Sequence, residues 1–557
     1  MYLRLHCLPQ QCRPFGPQFE NFRLEKNAMP TLEWIGKNKV VNHHQEVPFR
    51  VLERQYSFDE QGQHTENNGS ENMIIHGDNL EALKALLPQY EGKVKCIYID
   101  PPYNTGNEGW CYNDNVSDPH IQKWLGEVVG KEGEDLTRHD KWLCMMYPRL
   151  MLLQKLLADD GVIFISIDDR EQIMLRMICN EIFGEKNFLA QFVWQKRTSP
   201  DMRKLVSTAH EYVCAYCQDI THLSEAINKV ALSDEDAAGY KNPDNDPRGP
   251  WTSSDFTAQG IRPNQLYEII TPGGARYVPP KGKCWKNIES EFIRQRDEGR
   301  IWFGTDGNGF PRRKTYLSER EGKNIWTWWD NKGVGHSQEA TREIGKIFDD
   351  LAVFDYPKPV RLVQRIVQIA SSPDSIILDS FAGSGTTAHA VLNMNKADGG
   401  HRKFILVEMG DYADTITAER VKRVIKGYGE GKNAVEGTSG NFSYYELGEP
   451  LLLPSGNLNE KVGTEKIRDY IWYTETKKPL PDHKNSNPYF LGENNSTAYY
   501  FFYDPQKVCV LNYDFVATIP EKAEGYIIYA DRCTLSEQEL QQLGITFKKI
   551  PRDIVRV

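Results

Sequence analysis

The chain has 557 residues, a length that predicts two or three domains rather than one. Hydrophobic residues make up 39% and charged residues 26%, as in ordinary globular proteins, and no apolar run reaches the length of a membrane span. The net charge of −10 does not favour nucleic-acid binding by the whole surface, so any such contact needs a local basic patch. The eleven cysteines are scattered, which favours reduced thiols in a cytoplasm over a disulfide framework.

Residues 1–28 are rich in Gln, Pro and Arg and show no apolar periodicity. They predict a disordered leader, or an upstream extension of the gene model before Met29. A strand, a turn and an amphipathic helix are predicted next, over residues 72–87. Asp78 lies at the turn, where a carboxylate is a good N-terminal cap for the helix.

The most informative stretch of the first half is a buried strand that ends abruptly. The mostly apolar run 94–99 is followed by Asp100-Pro101-Pro102-Tyr103, and prolines cannot continue a strand. Asp100 therefore lies at the carboxyl end of a strand, where open α/β sheets bind ligands. Its carboxylate, the Pro101 carbonyl and the Tyr103 ring suit a planar group with an exocyclic amine. The simplest alternative is a strand that ends in a Pro-Pro turn.

The next predicted elements frame this stretch. The long polar segment 106–137 is typical of a lid or binding loop. A helix is predicted over 141–157, with Pro148 expected to kink or restart it. Buried strands follow at 162–167, 188–195 and 211–217. Cys214 and Cys217 fall on opposite faces of the last strand, so the Cys-x-x-Cys pattern does not favour a metal site.

The pattern dissolves into Asp, Asn, Pro and Gly from about residue 233, which marks a boundary. Between Arg276 and Lys332 there are thirteen Lys or Arg against eight Asp or Glu, in a chain that is acidic overall. Five tryptophans lie in the same span, and a basic, aromatic composition is typical of a nucleic-acid surface. The alternative is a small domain that buries its tryptophans.

A second informative stretch lies far downstream. The short apolar strand Ser375 to Asp379 leads into a turn, 380–387, that holds Gly383 and Gly385, and then into a helix. Strand, glycine turn and helix form the layout of a nucleotide-type cofactor loop, and Glu408 at the end of the next strand suits ribose hydroxyls. No lysine precedes Thr386, which excludes a phosphate-cradling P-loop.

Together the two stretches resemble a known family. Asp-Pro-Pro-Tyr upstream of Phe-x-Gly-x-Gly is similar to the β-class S-adenosylmethionine-dependent amino methyltransferases of DNA, over residues 30–440. The likeness is greatest to the modification (Mod) subunits of Type III restriction-modification systems. It implies an α/β fold with a Rossmann-like, doubly wound sheet in circularly permuted motif order. The implied activity is adenine-N6 methylation of double-stranded DNA with S-adenosyl-L-methionine as cofactor, in a bacterial or archaeal cytoplasm.

The resemblance also implies site residues. Asp100, Pro101, Pro102 and Tyr103 are expected to hold the target amine, with no metal. The residues expected to bind the cofactor are Asp78, Lys358, Asp379, Phe381, Gly383, Ser384, Gly385 and Glu408. Lys358 is expected to pair with the methionine carboxylate of the cofactor, although Lys358-Pro359 is equally typical of the start of a helix.

The predicted domains are the leader (1–28), the catalytic half (29–235), a target-recognition insertion (236–349), the cofactor half (350–440) and a small C-terminal α/β domain (441–557). Three alternatives stay open: a cytosine-N4 methyltransferase, a sequence-reading subunit without activity, and methylation of a glutamine amide. A homodimer and a restriction (helicase or nuclease) partner also remain open. There is no P-loop motif or evident nuclease cluster in the chain.

Overall fold

The computed structural model describes residues 31–104, 136–349, 353–453, 455–481, 487–520, 522–551 and 553–554. The predicted leader, 1–28, lies outside these residues. So does the predicted binding loop, 106–137, apart from its last two residues, which begin a helix.

One large sheet forms the centre of the described chain. Its eleven strands are β1 Arg50–Asp59, β2 Gly62–His64, β3 Met73–His76, β4 Val94–Ile99, β5 Leu157–Ile167, β6 Phe188–Gln195, β7 His210–Cys217, β8 Trp328–Trp329, β9 Ile376–Asp379, β10 Lys403–Glu408 and β11 Phe442–Pro450. Their spatial order is β8-β6-β7-β5-β4-β9-β10-β3-β11-β1-β2. The run from β5 to β11 in this order is parallel throughout. On one side of this run, β7 is antiparallel to β5 and to β6, and β8 is parallel to β6. On the other side, β1 is antiparallel to β11 and to β2.

Helices cover both faces of this sheet because the parallel strands are apolar on both sides. Along β4, Ile97 and Ile99 point into one core, and Cys96 and Tyr98 point into the other. The longer helices are α1 Asn79–Tyr90, α2 Leu136–Leu156, α3 Gln172–Cys179, α4 Ser337–Phe348, α5 Val360–Ala370, α6 Thr386–Asp398, α7 Glu419–Lys426 and α8 Thr464–Thr476. Residues of α1, α2 and α3 build the first core, and residues of α5, α6 and α7 build the second. The predicted doubly wound α/β fold is confirmed.

Helix α2 differs from its prediction. It runs from Leu136 to Leu156 through Pro148 without a break. The stripe that includes Leu143, Leu150 and Leu153 is buried in the core, and this burial offsets the one backbone hydrogen bond that Pro148 cannot donate.

The chain enters and leaves the insertion at one point, an isolated antiparallel bridge between Val230 and Lys323. The backbone N–H of Val230 donates to the Lys323 carbonyl at 3.0 Å, and that of Lys323 donates to the Val230 carbonyl at 2.9 Å. Between them lie a short helix, Asp234–Ala238, and then short strands and a longer helix around a separate small core: Trp251–Asp255, Thr257–Gln259, Ile269–Ile270, Arg276–Tyr277, Lys283–Trp285, Glu289–Asp297 (the longer helix), Ile301–Trp302 and Arg312–Tyr316.

The pairing of strands leads us to propose different edges for the insertion. Strand β8 belongs to the central sheet, and Val334 and Ile347 pack into its second core. The backbone crossing at Val230 and Lys323 therefore leads us to propose residues 231–322 as the insertion, in place of 236–349. Sequence patterns missed this because β8 is only two residues long and lies in a turn-rich stretch.

The boundary of the C-terminal domain also moves. Residues 441–557 were all expected to belong to that domain, but residues 442–450 form β11, which pairs in parallel with β3 inside the central sheet. We therefore propose that the small domain begins after Pro450. It contains a four-stranded sheet of Phe490–Asn494, Thr497–Phe501, Gly525–Ala530 and Ile545–Lys549, with α8 and the helix Glu537–Gln542.

Two general properties of the described residues bear on the sequence analysis. The eight cysteines that the structure describes are all free, and Cys214 and Cys217 lie in opposite cores as expected. No helix in the described ranges is both long enough and apolar enough to cross a membrane.

The place of β11 can be tested with Phe442→Ala. The Phe442 ring is fully buried in the second core, so its loss should lower the free energy of unfolding of the sheet domain by about 3–5 kcal/mol. Val435→Ala, at a side chain 43% exposed, should change it by less than about 0.5 kcal/mol. Differential scanning calorimetry separates the domain transitions. A shift confined to the C-terminal domain would contradict the assignment of β11.

Candidate active site

Four neighbouring strands end at the same edge of the sheet. Strands β4, β9, β10 and β3 are adjacent and parallel, so the residues that follow them converge. The backbone closes the gaps, because Gly77 N–H donates to the Glu408 carbonyl at 3.0 Å and Ala382 N–H donates to the Val407 carbonyl at 3.0 Å. The early and late stretches singled out in the sequence therefore form one site.

The Asp100 carboxylate is held by two donors. The Tyr103 hydroxyl donates to its Oδ1 atom at 2.8 Å, and the Lys358 ammonium donates to its Oδ2 atom at 2.5 Å. The Lys358 nitrogen also lies 4.9 Å from the centre of the Tyr103 ring. Lys358 was expected near the cofactor, and the structure places it on Asp100, between the two halves of the site.

The two prolines differ in what their carbonyls contact. The Pro102 carbonyl accepts a hydrogen bond of 2.7 Å from the buried indole N–H of Trp142. No donor from the described part of the chain reaches the Pro101 carbonyl. The stiff exit from β4 is therefore anchored at Pro102, and the carbonyl beside Asp100 is left to accept from a ligand.

Glu211, at the start of β7, was missed by the sequence analysis. One oxygen accepts from the Tyr103 hydroxyl at 3.3 Å and lies 3.9 Å from the Lys358 ammonium. The other accepts from Lys196 at 2.5 Å. The only signal in the sequence was an acidic residue at the start of an otherwise apolar, aromatic strand, and nothing in it indicated which residues Glu211 would contact.

The protonation of this cluster follows from its burial and charges. Burial lowers the pKa of Lys358, but the carboxylates of Asp100 and Glu211 outweigh burial and leave that pKa above its usual value. Burial, together with the same two carboxylates, raises the pKa of Tyr103 well above 10. At neutral pH Lys358 is therefore a cation and the Tyr103 hydroxyl keeps its proton.

The glycine turn is bound directly by the predicted acidic residue. Glu408 accepts from the backbone N–H of Gly383 at 2.7 Å and from that of Gly410 at 2.9 Å. Burial raises the pKa of this carboxyl, and these backbone hydrogen bonds oppose the rise. Gly383 and Gly385 have φ of 53° and 79°, so both adopt a conformation that favours glycine. A β-carbon at position 385 would lie 2.9 Å from the Thr417 carbonyl oxygen.

The remaining polar groups of the turn are largely occupied by the protein. Asp379 accepts from the Phe381 N–H at 3.0 Å and from the Thr387 hydroxyl. Ser384 accepts at 2.9 Å from the buried guanidinium of Arg420, a second residue that the sequence analysis missed. Ser384 therefore contacts the protein scaffold in this structure.

Asp78 is a helix cap, as the simplest interpretation predicted. It accepts from the backbone N–H groups of Leu80 and Glu81 at 2.9 and 3.3 Å. Its second oxygen accepts from Arg149 at 3.2 Å, a fully buried guanidinium that also binds Asn79. Asn79 in turn donates to the Ser380 carbonyl at 3.1 Å, so Asp78 and the glycine turn are connected.

This edge fits a nucleoside-type cofactor on three observations. Two glycines in left-handed conformation allow close approach of the backbone. Acidic residues lie just after β3 and at the last positions of β9 and β10, and the buried Ser380 hydroxyl has no partner among the residues described. Within the described ranges there is no group of three or more His, Cys, Asp or Glu side chains that could hold a metal.

The comparisons with known proteins agree with this geometry. The family model described as DNA methylase matches residues 94–419, which include β4, its Asp-Pro-Pro-Tyr and the glycine turn. The chain belongs to the DNA methylase family. The resemblance inferred from the sequence is therefore confirmed.

Three relatives of the chain are a pair of Type III restriction-modification subunits and a Type II methyltransferase. The chain is 35% identical to the Type III restriction-modification enzyme StyLTI Mod subunit of Salmonella typhimurium, covering 69% of this chain and 61% of that one. It is 30% identical to the EcoP15I Mod subunit of Escherichia coli, covering 68% and 64%. It is 34% identical to the Type II methyltransferase M.KpnI of Klebsiella pneumoniae, covering 60% and 80%. The chain thus spans less than two thirds of the length of these two Mod subunits.

Solved structures are more distant. PvuII DNA methyltransferase (cytosine-N4-specific) is 12% identical, with a TM-score of 0.33, over 63% of this chain and 86% of that one. The M1.HpyAVI–SAM complex is 14% identical, with a TM-score of 0.27, over 62% and 97%.

The pKa of Asp379 leads to a prediction about stability. Burial raises this pKa from 3.8 to about 7. The folded state therefore holds the proton more tightly than the unfolded state, and the stability gained below pH 4 is lost as the pH rises through 7. Asp379→Asn cannot ionise. The free energy of unfolding of the variant relative to wild type should rise between pH 4 and pH 8, by up to about 4 kcal/mol.

Urea denaturation of both proteins across this pH range provides the measurement. Asp374→Asn, at an exposed residue just before β9, is the matched control, and its stability should track that of wild type. A constant difference between Asp379→Asn and wild type at every pH would show that Asp379 does not titrate in this window.

Proposed function

We propose that this chain transfers a methyl group from S-adenosyl-L-methionine to the N6 atom of an adenine in double-stranded DNA. The observation that carries the proposal is the position of the Asp100 carboxylate and the Pro101 carbonyl at the end of β4, beside the glycine turn after β9. An acceptor pair for an exocyclic amine thus adjoins a cofactor turn. Membership of the DNA methylase family supports the same reaction.

The cofactor would lie against the carboxyl ends of β3, β9 and β10. Gly383 and Gly385 would let the backbone approach it, Ser380 would offer a hydroxyl, and Glu408 would face the ribose. Phe381, Ser384, Asp379 and Asp78 would shape this surface, partly through their contacts with the scaffold. When bound, the sulfonium of the cofactor supplies an activated methyl group.

Asp100 has acceptor capacity left for a substrate. An ionised carboxylate offers about four lone-pair positions, and Tyr103 and Lys358 occupy one on each oxygen. Hydrogen bonds from the target amine to Asp100 and Pro101 favour a localised lone pair on nitrogen and stabilise the positive charge that develops there. Lys358 and Glu211 hold Asp100 and Tyr103 in place by their contacts.

A base inside duplex DNA cannot reach this edge of the sheet, so the target nucleotide must flip out of the helix and stack against the Tyr103 ring. Adenine is favoured over cytosine for two reasons. A carboxylate at position 100 is a stronger acceptor than the serine more frequent in cytosine-N4 enzymes, and the larger purine gains more from stacking. A cytosine-N4 product is the main alternative outcome.

The insertion is proposed to select the target sequence. A cavity of about 660 Å³ on its surface is lined by four arginines together with Gln295 and Glu298: Arg248, Arg294, Arg300 and Arg313. Three of the arginines pair with carboxylates of the protein, and guanidinium groups are also the usual partners of DNA phosphates. Trp326 and Trp328, just beyond it, are 80% and 51% exposed, whereas Trp285 and Trp329 are buried. The basic, aromatic composition therefore serves both a small core and an open surface.

A role as the modification subunit of a restriction-modification system, in a bacterial or archaeal cytoplasm, is proposed from the named relatives. A restriction subunit and a second copy of the chain are the partners this role would involve. Expression in a methylation-free host, followed by sequencing with modified-base detection, tests the function and reveals the target sequence. An unmodified genome would contradict the proposed methyl transfer. Detection of N4-methylcytosine would show that the target base is cytosine and not adenine.

The role of Asp100 can be tested with Asp100→Asn. Loss of the carboxylate should lower the rate of methyl transfer at least 100-fold, because a charged acceptor at the developing cation is removed. Cofactor affinity, measured by calorimetric titration, should stay within threefold. Asp159→Asn, at an exposed site near the opposite end of β5, is the control and should leave both quantities unchanged. Methyl transfer at the wild-type rate by Asp100→Asn would contradict the proposed role of the Asp100 carboxylate.

The glycine turn can be tested with Gly385→Ala. The added β-carbon would meet the Thr417 carbonyl at 2.9 Å and displace the turn, so cofactor affinity should fall at least tenfold. Gly399→Ala is the matched control, since Gly399 has a similar φ of 70° but open space around it. Both variants carry the same backbone strain, and only the first should lose affinity in calorimetric titration. Equal cofactor affinities of Gly385→Ala and Gly399→Ala would show that the glycine turn does not bind the cofactor.

A further inference from the structure

The hairpin loop between β6 and β7 exposes a group of apolar side chains. Met202, Leu205 and Val206 are 90%, 106% and 88% exposed, and we call them the loop tip. Single exposed apolar residues are ordinary, but three within five positions on one loop form a patch that indicates a contact.

The loop begins and ends inside the candidate active site. Strand β7 is antiparallel to β5, so its first residues lie at the edge where β4 and β5 end. The loop leaves β6 at Lys196 and returns to β7 before Glu211, and these two side chains form an ion pair of 2.5 Å. Glu211 contacts Tyr103 directly. The loop tip is therefore connected to the neighbourhood of Asp100 and Tyr103 by two short chain segments, one that starts at Lys196 and one that ends at Glu211.

The loop has a defined shape. The Lys196 N–H donates to the Ala209 carbonyl at 3.0 Å at its base. Near the tip, Asp201 N–H donates to the Ser207 hydroxyl at 2.8 Å, and the Asp201 carboxylate accepts from the Arg203 guanidinium at 2.9 Å. These contacts close residues 201–207 into a turn that holds the loop tip away from the protein.

The charge of the loop indicates its partner. Residues 196–209 carry four Lys or Arg and one Asp, in a chain whose net charge is −10. Arg197 precedes the apolar group and Lys204 lies within it, and both side chains are exposed. Apolar side chains flanked by cations suit a duplex, whose stacked bases are apolar and whose phosphates are anionic.

We propose that the loop tip enters the DNA duplex beside the target base and occupies the space that the base leaves when it flips into the active site. Apolar wedges of this kind offset the few kcal/mol that unstacking a base step costs. The six Cα-to-Cα steps from Lys196 to Met202 span at most about 20 Å, more than the roughly 12 Å width of the major groove. This inference rests on the proposed function and names a segment that acts on the partner strand.

The test replaces the three side chains with serine in the full chain: Met202→Ser, Leu205→Ser and Val206→Ser. Two duplexes carry the target sequence found by modified-base detection. In one the target base is paired, and in the other an abasic site stands opposite it, so that flipping needs little unpairing. We expect kcat/KM to fall at least tenfold on the paired duplex and less than threefold on the abasic one.

A matched control carries Val435→Ser, Leu453→Ser and Val508→Ser, exposed apolar residues elsewhere on the chain, and should behave as wild type on both duplexes. Equal losses on the two duplexes would overturn the wedge and assign the tip to general DNA binding. Unchanged rates on both would also overturn it and favour a protein or membrane contact. A wild-type chain that methylates neither duplex would contradict the proposed function itself, and the wedge with it.

Discussion

The parallel pairing of β4 with β9 is the constraint on which the rest of the site depends. Ile377 pairs with Cys96 and Leu378 with Ile97, in strands about 280 residues apart in the chain. This register brings the end of one strand, with its Asp-Pro-Pro-Tyr, beside the start of the glycine turn that follows the other. A slip of one residue would turn every side chain of β9 to the other face and separate the two halves. The apolar residues on both faces of these strands make such a slip costly.

Beside the paired strands β4 and β9, a small network of charged side chains forms the base-binding part of the site. Lys358 comes from the segment before α5, Glu211 from the start of β7 and Asp100 from the end of β4, and all three meet near Tyr103. Two cations and two carboxylates share this network when Lys196 is included. Removing one member would leave another charge unpaired in a partly buried place, so the geometry of Asp100 depends on partners from three parts of the chain.

The cofactor side is held in a different way, by backbone rather than by charge. Glu408 binds one N–H group within the turn, at Gly383, and one just after β10, at Gly410, while Arg149 and Arg420 are buried cations that fix neighbouring side chains. The turn is thus shaped before any ligand binds. The loop tip at the opposite side of the site is exposed, as a segment that acts on an external duplex must be.

By itself the sequence determined the strand that stops at Asp100-Pro101, the glycine turn and the family to which they point, because these signals are local and depend on residues next to one another. Tertiary structure alone decided which distant residues join them. Glu211, Arg149 and Arg420 look like ordinary charged residues along the chain, and only strand order, for Glu211, and the packing of α2 and α7, for the two arginines, bring them to the site. The edges of the insertion and the place of β11 were also beyond the sequence, because short strands acquire their identity from the strand with which they pair.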